Sequence, residues 1–493
     1  MKTLLALVCG LSILSAGCVQ QNRFRYVRLQ PECFGGRRAV DPVPGAPNER
    51  RDWPSLDCRH RDYSVGFVEF DKNGKAIDSN QTKKALELIA FRKSTAPGGK
   101  IITVVYVHGW KNNANQMLPG RDAQDVERFE RALSELAFRS GRAAAAAGQR
   151  TPVPIVGVYI GWPGKSLMGP GWFTFASFWG RRNTANHVGD GPDLAQTLND
   201  VIDKTNDGRT GSRVMLVGHS FGARVLEHAI ETGKVRLFDA IPDSGFVNPR
   251  VDLTLYVNSA NDARLSMARV EALRDRPISV RHPDYDPASC DAARATRPEC
   301  RAYPLIVAIT SRGDSATKYL LPTANTVNLD SSAKTPPSPT GTFLDPIPPA
   351  GIYRRSAAAH LAFLHSHDVR EIPCPTPDQI DSETARVRAR GVVEPTEVWR
   401  TLLACKPDDV GCQFTFRTLG GDAAACYEVD SRATTNGPQP FNTTAFWIMT
   451  VDTPVIKDHG DIWNQSFIQM LGELMAPRRF FDPAAPLVQL RAR

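Results

Sequence analysis

With 493 residues, 42% of them hydrophobic and 23% charged, the chain has ordinary globular composition and length for one elaborated domain or two to three smaller ones. A formal charge of +8 over that length, with no Lys/Arg block interleaved with aromatics, argues against nucleic acid as a partner. So small an excess is a solvated face, or at most a surface suited to an anionic membrane.

Lys2 begins a positive n-region, and Leu4 to Leu14 form an apolar run too short to span a bilayer. Ser15-Ala16-Gly17 then precede Cys18, so residues 1–17 read as a secretory signal. The ending resembles a bacterial lipobox, with Ser15 standing where Leu is usual. That resemblance implies lipidation of Cys18, and Val19 in place of Asp implies sorting to the outer membrane, facing the periplasm. Beyond Cys18 lie Cys33, Cys58, Cys290, Cys300, Cys374, Cys405, Cys412 and Cys426, an even number that favours disulfides in an exported chain. None forms a Cys-x-x-Cys pair, which disfavours zinc. Residues 18–62 read as a tether and irregular N-terminal segment, pinned by Cys33 and Cys58.

Tyr63 to Phe70 alternates as a strand, Asp71-Lys72-Asn73-Gly74 is a hairpin turn, and Lys75-Ala76-Ile77 is the expected return. Helical spacing follows from Thr82 to Phe91. Ile101 to Val107 is a near-continuous apolar strand, as expected when both sheet faces are covered, and it ends in His108-Gly109-Trp110. A helix from about Asp122 to Ala145, a strand from Val153 to Ile160 and a helix over 189–204 come next. Further strands are expected at Leu253–Val257, Leu305–Thr310 and Ala445–Val451. Strands alternating with helices predict parallel βαβ units, hence a mostly parallel α/β sheet with helices on both faces. Two stretches, about 265–302 and 325–440, carry prolines and cysteines and read as loop-rich insertions stapled by disulfides. Cys290–Cys300 is the local pair; the three pairings among Cys374, Cys405, Cys412 and Cys426 stay open.

The chemistry centres on Val214-Met215-Leu216-Val217-Gly218-His219-Ser220-Phe221-Gly222, where an apolar strand runs into Gly-x-Ser-x-Gly and a helical pattern follows. That strand, turn and helix context is the one in which a serine nucleophile is presented. Phe221 opens the helix, so its N–H can donate to an oxyanion. The loop after strand 101–107 supplies the second donor, at Trp110. A serine hydroxyl needs a base, and His459 lies in a polar turn just past the last strand. The acid belongs between serine and histidine in chain order. Asp314, directly after an apolar strand, is favoured over Asp262. His360, His365, His367 and Asp368 match no zinc spacing and read as structural, so neither a metal nor a cofactor is expected. Trp172, Phe175 and Trp179, with Phe173 and Phe178 beside them, form a helical stripe that is either core or the wall or lid of a site.

Val107-His108-Gly109-Trp110, Gly218-His219-Ser220-Phe221-Gly222, Asp314 and His459 together resemble the α/β-hydrolase superfamily. Val107 to Ala114 with Gly161-Trp162-Pro163 look like its poorly characterised esterase/lipase-like members. The resemblance spans roughly residues 63–480, leaves the two insertions unmatched, and places one hydrolase domain in residues 63–493. It implies a Ser220–His459–Asp314 triad hydrolysing an ester-type small molecule or lipid through an acyl-enzyme. The alternatives are a peptidase or amidase on the same fold, or a catalytically silent protein that binds an envelope partner. With a lipid at Cys18, the expected location is the bacterial envelope.

Overall fold

The long apolar runs become strands of one sheet. The computed structural model describes residues 24–27, 31–34, 53–58, 62–110, 112–114, 124–146, 148–164, 172–206, 211–240, 247–274, 304–327, 350–389, 395–405, 412–418, 425–431 and 445–475. The strands used below are β1 (Leu56–Asp57), β2 (Tyr63–Glu69), β3 (Ile102–Val107), β4 (Ile155–Gly161), β5 (Arg213–His219) and β6 (Leu253–Val257). They continue as β7 (Ile306–Ser311), β8 (Asp368–Ile372), β9 (Cys412–Arg417), β10 (Cys426–Asp430) and β11 (Phe446–Val451).

Eight of them form the central sheet, in the order β11-β7-β6-β5-β3-β4-β2-β1. Every pairing is parallel except β1 with β2. The register sets Val107 beside Gly218, His219 beside Val257, Val257 beside Ile309, and Ser311 beside Val451. The carboxyl ends of β3, β5, β6, β7 and β11 therefore reach one edge of the sheet, and the loops leaving them meet there.

The helices of nine residues or more are α1 (Ser79–Thr95), α2 (Gln124–Ala146), α3 (Trp172–Gly189), α4 (Pro192–Thr205), α5 (Phe221–Glu231) and α6 (Ala263–Arg274), then α7 (Pro377–Ala389), α8 (Pro395–Leu403) and α9 (Gln465–Met475). Alternation along β3 divides the core. Val105 and Val107 pack with Leu88 of α1, Leu198 of α4, Val225 of α5 and Val270 of α6. Val104 and Tyr106 face the other side, with Phe129 and Leu133 of α2 and Phe467 and Leu471 of α9. Both faces are thus covered, which is why the strands read as continuous apolar runs. No helix among the described residues is long and apolar enough to cross a membrane.

Four expectations change. The turn at 71–74 closes, with Gly74 N–H on Asp71 O, but the expected return strand is a single bridge between Phe70 and Ala76. Asp78 follows at once as the N-cap of α1, accepting from Asn80 N–H, and draws the chain into the helix. The N-terminal segment is no loose tether where it is described. Phe24 N–H and Arg25 N–H donate to the buried Glu69 carboxylate, and the Arg25 guanidinium lies 3.6 Å over the Phe67 ring. Arg25 is fully buried, with its Nε on Ala114 O, and the Cys33–Cys58 disulfide forms.

The second insertion is more regular than its proline content predicts. It contains α7, α8 and an antiparallel sheet in the order β8-β10-β9. Val369, Phe416, Tyr427 and Val429 of that sheet join the core on the α2/α9 side, and this burial stabilises strands too short to show a period. Its disulfides are Cys374–Cys426 and Cys405–Cys412. The first insertion opens with α6 in place of a loop. Cys290, Cys300 and the segment 1–23, with Cys18, lie outside the described residues.

Candidate active site

Ser220 stands between β5 and α5 with φ at 56°, a left-handed value rare for a residue with a β-carbon. Two glycines permit the turn. A Cβ on Gly218 would lie 2.5 Å from Ala223 Cα, and one on Gly222 would collide with the Val107 carbonyl. The helix therefore starts hard against β3, with Ser220 N–H held by Val257 O at 3.0 Å. Ser220 is 2% exposed.

His459 approaches from the turn after β11. Its Nε2 lies 2.7 Å from Ser220 Oγ, and its Nδ1 lies 2.9 Å from Asp314 Oδ1. A carboxylate only accepts, so Nδ1 carries the proton and Nε2 offers a lone pair to the serine hydroxyl. The Asp314 side chain is fully buried, while that of His459 is 28% exposed. Ala316 N–H and Thr317 N–H also donate to Asp314 Oδ1, at 3.0 and 3.1 Å, and the Thr317 hydroxyl donates to Oδ2. Burial pushes the Asp314 pKa up, but the hydrogen bond and charge of His459 and the donors of Thr317 outweigh it and hold the group below its ordinary value.

Asp262 sits elsewhere. Its buried carboxylate accepts from Arg264 Nε at 2.7 Å and lies 3.8 Å from Arg182. It neutralises an arginine cluster under α5 that also includes Arg224, where burial holds the guanidinium pKa down at about 9. Asp458 and Asp461 are occupied by the local turn, accepting from Gly460 N–H and Lys457 N–H.

Residues from other segments of the chain hold the histidine turn. Asn258, at φ 47°, donates through Nδ2 to the carbonyls of Asp458 and His459 and accepts Ser311 N–H at 2.9 Å. Asn tolerates the left-handed region, and one at the end of a strand is the signal that was available. Ser311 Oγ donates to Ile456 O at 2.5 Å, and Arg128 to Gly460 O at 2.8 Å. His219 donates from Nε2 to His459 O at 2.7 Å, and burial, aided by the neighbouring His459, lowers its pKa to about 3.

The loop after β3 is braced in the same way. His108 donates from Nδ1 to Gly109 O, accepts Trp162 N–H at Nε2, and stacks on the Trp162 ring. Burial holds it neutral, with a pKa of about 4. Gly109 lies so close to the elbow that a Cβ there would be 3.0 Å from Ser220 Cβ. Trp110 follows, its ring 6.1 Å from that of Phe221 and 5.9 Å from Phe178 of α3. Phe178 also packs 5.0 Å from Phe221, so the described end of the aromatic stripe contributes to the core beside the elbow. The side chains of Trp172, Phe173 and Phe175 are outside the described set.

The other histidines scatter. His365 Nε2 meets Ala359 O, and His367 stacks on Trp447 and meets Ser366 Oγ. His360 reaches Thr317. Among the described residues no group of His, Cys, Asp and Glu is arranged to hold a metal ion. No family model matches the chain, and neither a curated protein nor a solved structure matches it significantly.

Proposed function

We propose that the chain is a serine hydrolase of the α/β-hydrolase type, acting on carboxylic esters through an acyl-enzyme. The observation that carries the reading is the line Ser220 Oγ, His459 Nε2, His459 Nδ1, Asp314 Oδ1, with links of 2.7 and 2.9 Å. The left-handed Ser220 between strand and helix, and the chain order serine, aspartate, histidine, support the fold assignment. His459 takes the hydroxyl proton as Ser220 Oγ attacks the ester carbonyl. The N–H groups of Phe221 and Trp110 receive the oxyanion, the first at a helix start with no intrahelical acceptor. His459 returns the proton to the leaving alkoxide, and then activates the water that cleaves the acyl-enzyme. Asp314 holds the imidazole in the working tautomer and stabilises the imidazolium. A lipid at Cys18 would keep this activity at the outer membrane, within reach of lipid esters.

A fluorophosphonate probe tests the reading. Wild type should be labelled on Ser220, and Ser220→Ala should escape labelling and lose about 10⁵-fold or more in kcat on an activated short-chain ester. A folded Ser220→Ala with wild-type turnover refutes it. Amide substrates assayed beside the esters decide against a peptidase or amidase if they are turned over poorly.

A further inference from the structure

The hydrogen bonds of the proposed acid do not stop at His459. Asp314 Oδ2 accepts from the Thr317 hydroxyl, and Thr317 Oγ1 lies 2.7 Å from His360 Nε2. The chemistry sets every direction. A carboxylate has no proton to give, so the single hydroxyl proton of Thr317 goes to Asp314. The hydroxyl can then only accept at its other contact, so His360 donates from Nε2. The line runs from His360 through Thr317 and Asp314 to His459 and Ser220, each member presenting its proton to the next group as far as Asp314. His360 closes a single 3-10 turn, Ala358–His360, packed against β7 and β11. It comes from the second insertion, which thereby reaches the site.

We propose that Thr317 and His360 are positioning residues, holding the Asp314 carboxylate in the one orientation that serves His459. The inference rests on the hydrolase reading, because it gives that carboxylate a task. Oδ1 already receives three donors, from His459, Ala316 and Thr317 backbone. Oδ2 receives the Thr317 hydroxyl, and this second anchor stops the buried carboxyl group from rocking about its bond to Cβ. His360 in turn removes the freedom of the hydroxyl to rotate away. A part-buried relay of this kind acts as a unit, so losing either outer member releases the same carboxylate.

The test uses the full chain with Thr317→Val, Thr317→Ser, His360→Phe, His360→Gln and the Thr317→Val/His360→Phe pair. Three quantities are read: kcat and KM on an activated ester, and the proton resonance of His459 Nδ1–H in ¹⁵N-histidine-labelled protein, assigned by its absence in His459→Gln. Thr317→Val and His360→Phe should each lower kcat about tenfold with KM unchanged. The double variant should lose no more than the worse single one. Thr317→Ser keeps the hydroxyl and His360→Gln keeps a donor near the same place, so both should stay within about twofold of wild type. The resonance should be displaced or lost to exchange in the Val and Phe variants and stay in place in the Ser and Gln variants. A Thr317→Val enzyme within twofold of wild type, or a loss that Thr317→Ser fails to restore, overturns the relay. A wild type that neither reacts with the fluorophosphonate nor turns over esters strikes the hydrolase reading instead; an unmoved resonance then overturns the relay by itself.

Discussion

Replacing Asp314 by Asn separates charge from geometry at this site. Ala316 N–H and Thr317 N–H both point at Oδ1, so the amide oxygen must stay there. The alternative would set an NH₂ group against two donors. His459 Nδ1–H therefore keeps an acceptor at 2.9 Å and keeps its tautomer. What vanishes is the negative charge opposite the imidazolium, together with the acceptor for the Thr317 hydroxyl, because the NH₂ takes the Oδ2 place. With charge centres roughly 4 Å apart and an effective dielectric near 20, that attraction is about 4 kcal/mol. The expected loss is about 10³ in kcat on an activated ester, with KM little changed. Asp262→Asn should behave in the opposite way. It removes an ion-pair partner from half-buried Arg264 and from buried Arg182, so stability should fall by about 3 kcal/mol while kcat stays within about tenfold. Steady-state kinetics and denaturant melts on both variants decide the matter. A loss near 10⁴ for Asp314→Asn means that the amide turned and the tautomer was lost. A loss under tenfold, or a larger catalytic loss in Asp262→Asn, refutes the assignment of Asp314 as the acid.

Glu227, a buried residue of α5, accepts from Ser266 Oγ and Asn261 Nδ2, and burial raises its pKa to about 7. The folded state therefore holds this proton more tightly than the unfolded chain, so the group's stabilising contribution is complete below about pH 4.5 and is lost as pH rises through about 7. Glu227→Gln should flatten that fall and raise the melting temperature at pH 8, and an unchanged pH profile of melting temperature would contradict the argument. Among the disulfides, Cys374–Cys426 closes a separation of 52 residues and Cys405–Cys412 one of 7. Removing the first should cost about 4 kcal/mol and the second about 2 on loop entropy, measured as guanidinium midpoints of the two paired Cys→Ala variants. If Cys18 carries lipid, the mature protein should enter the detergent phase on phase separation, and Cys18→Ser should leave it in the aqueous phase or unprocessed; an aqueous wild type counts against the anchor.

The elbow, the parallel strands and the helices on both faces were legible in the chain because each is a local signal. An apolar run ending in Gly218-His219-Ser220-Phe221-Gly222 states its own geometry, since only glycine fits where a Cβ would strike Ala223 or the Val107 carbonyl. Strands buried on both faces announce themselves by composition. The choice between Asp314 and Asp262 was different, because both follow a strand and both are buried. What separates them is the register that sets Ser311 beside Val451, which brings the turn of His459 over the end of β7 and within 2.9 Å of Asp314, while arginines pair with Asp262. The small sheet of the insertion escaped notice for a related reason. Strands of five or six residues have no measurable period, and they gain stability only from a core that other segments supply. The supports of the site were hidden most completely. Asn258 meets His459 across 201 positions and His360 meets Thr317 across 43, contacts made between loops at one sheet edge. Local sequence encodes the φ, ψ and burial of each segment, but which two loops share an edge depends on strand order and register, and these exist only after the whole sheet has closed.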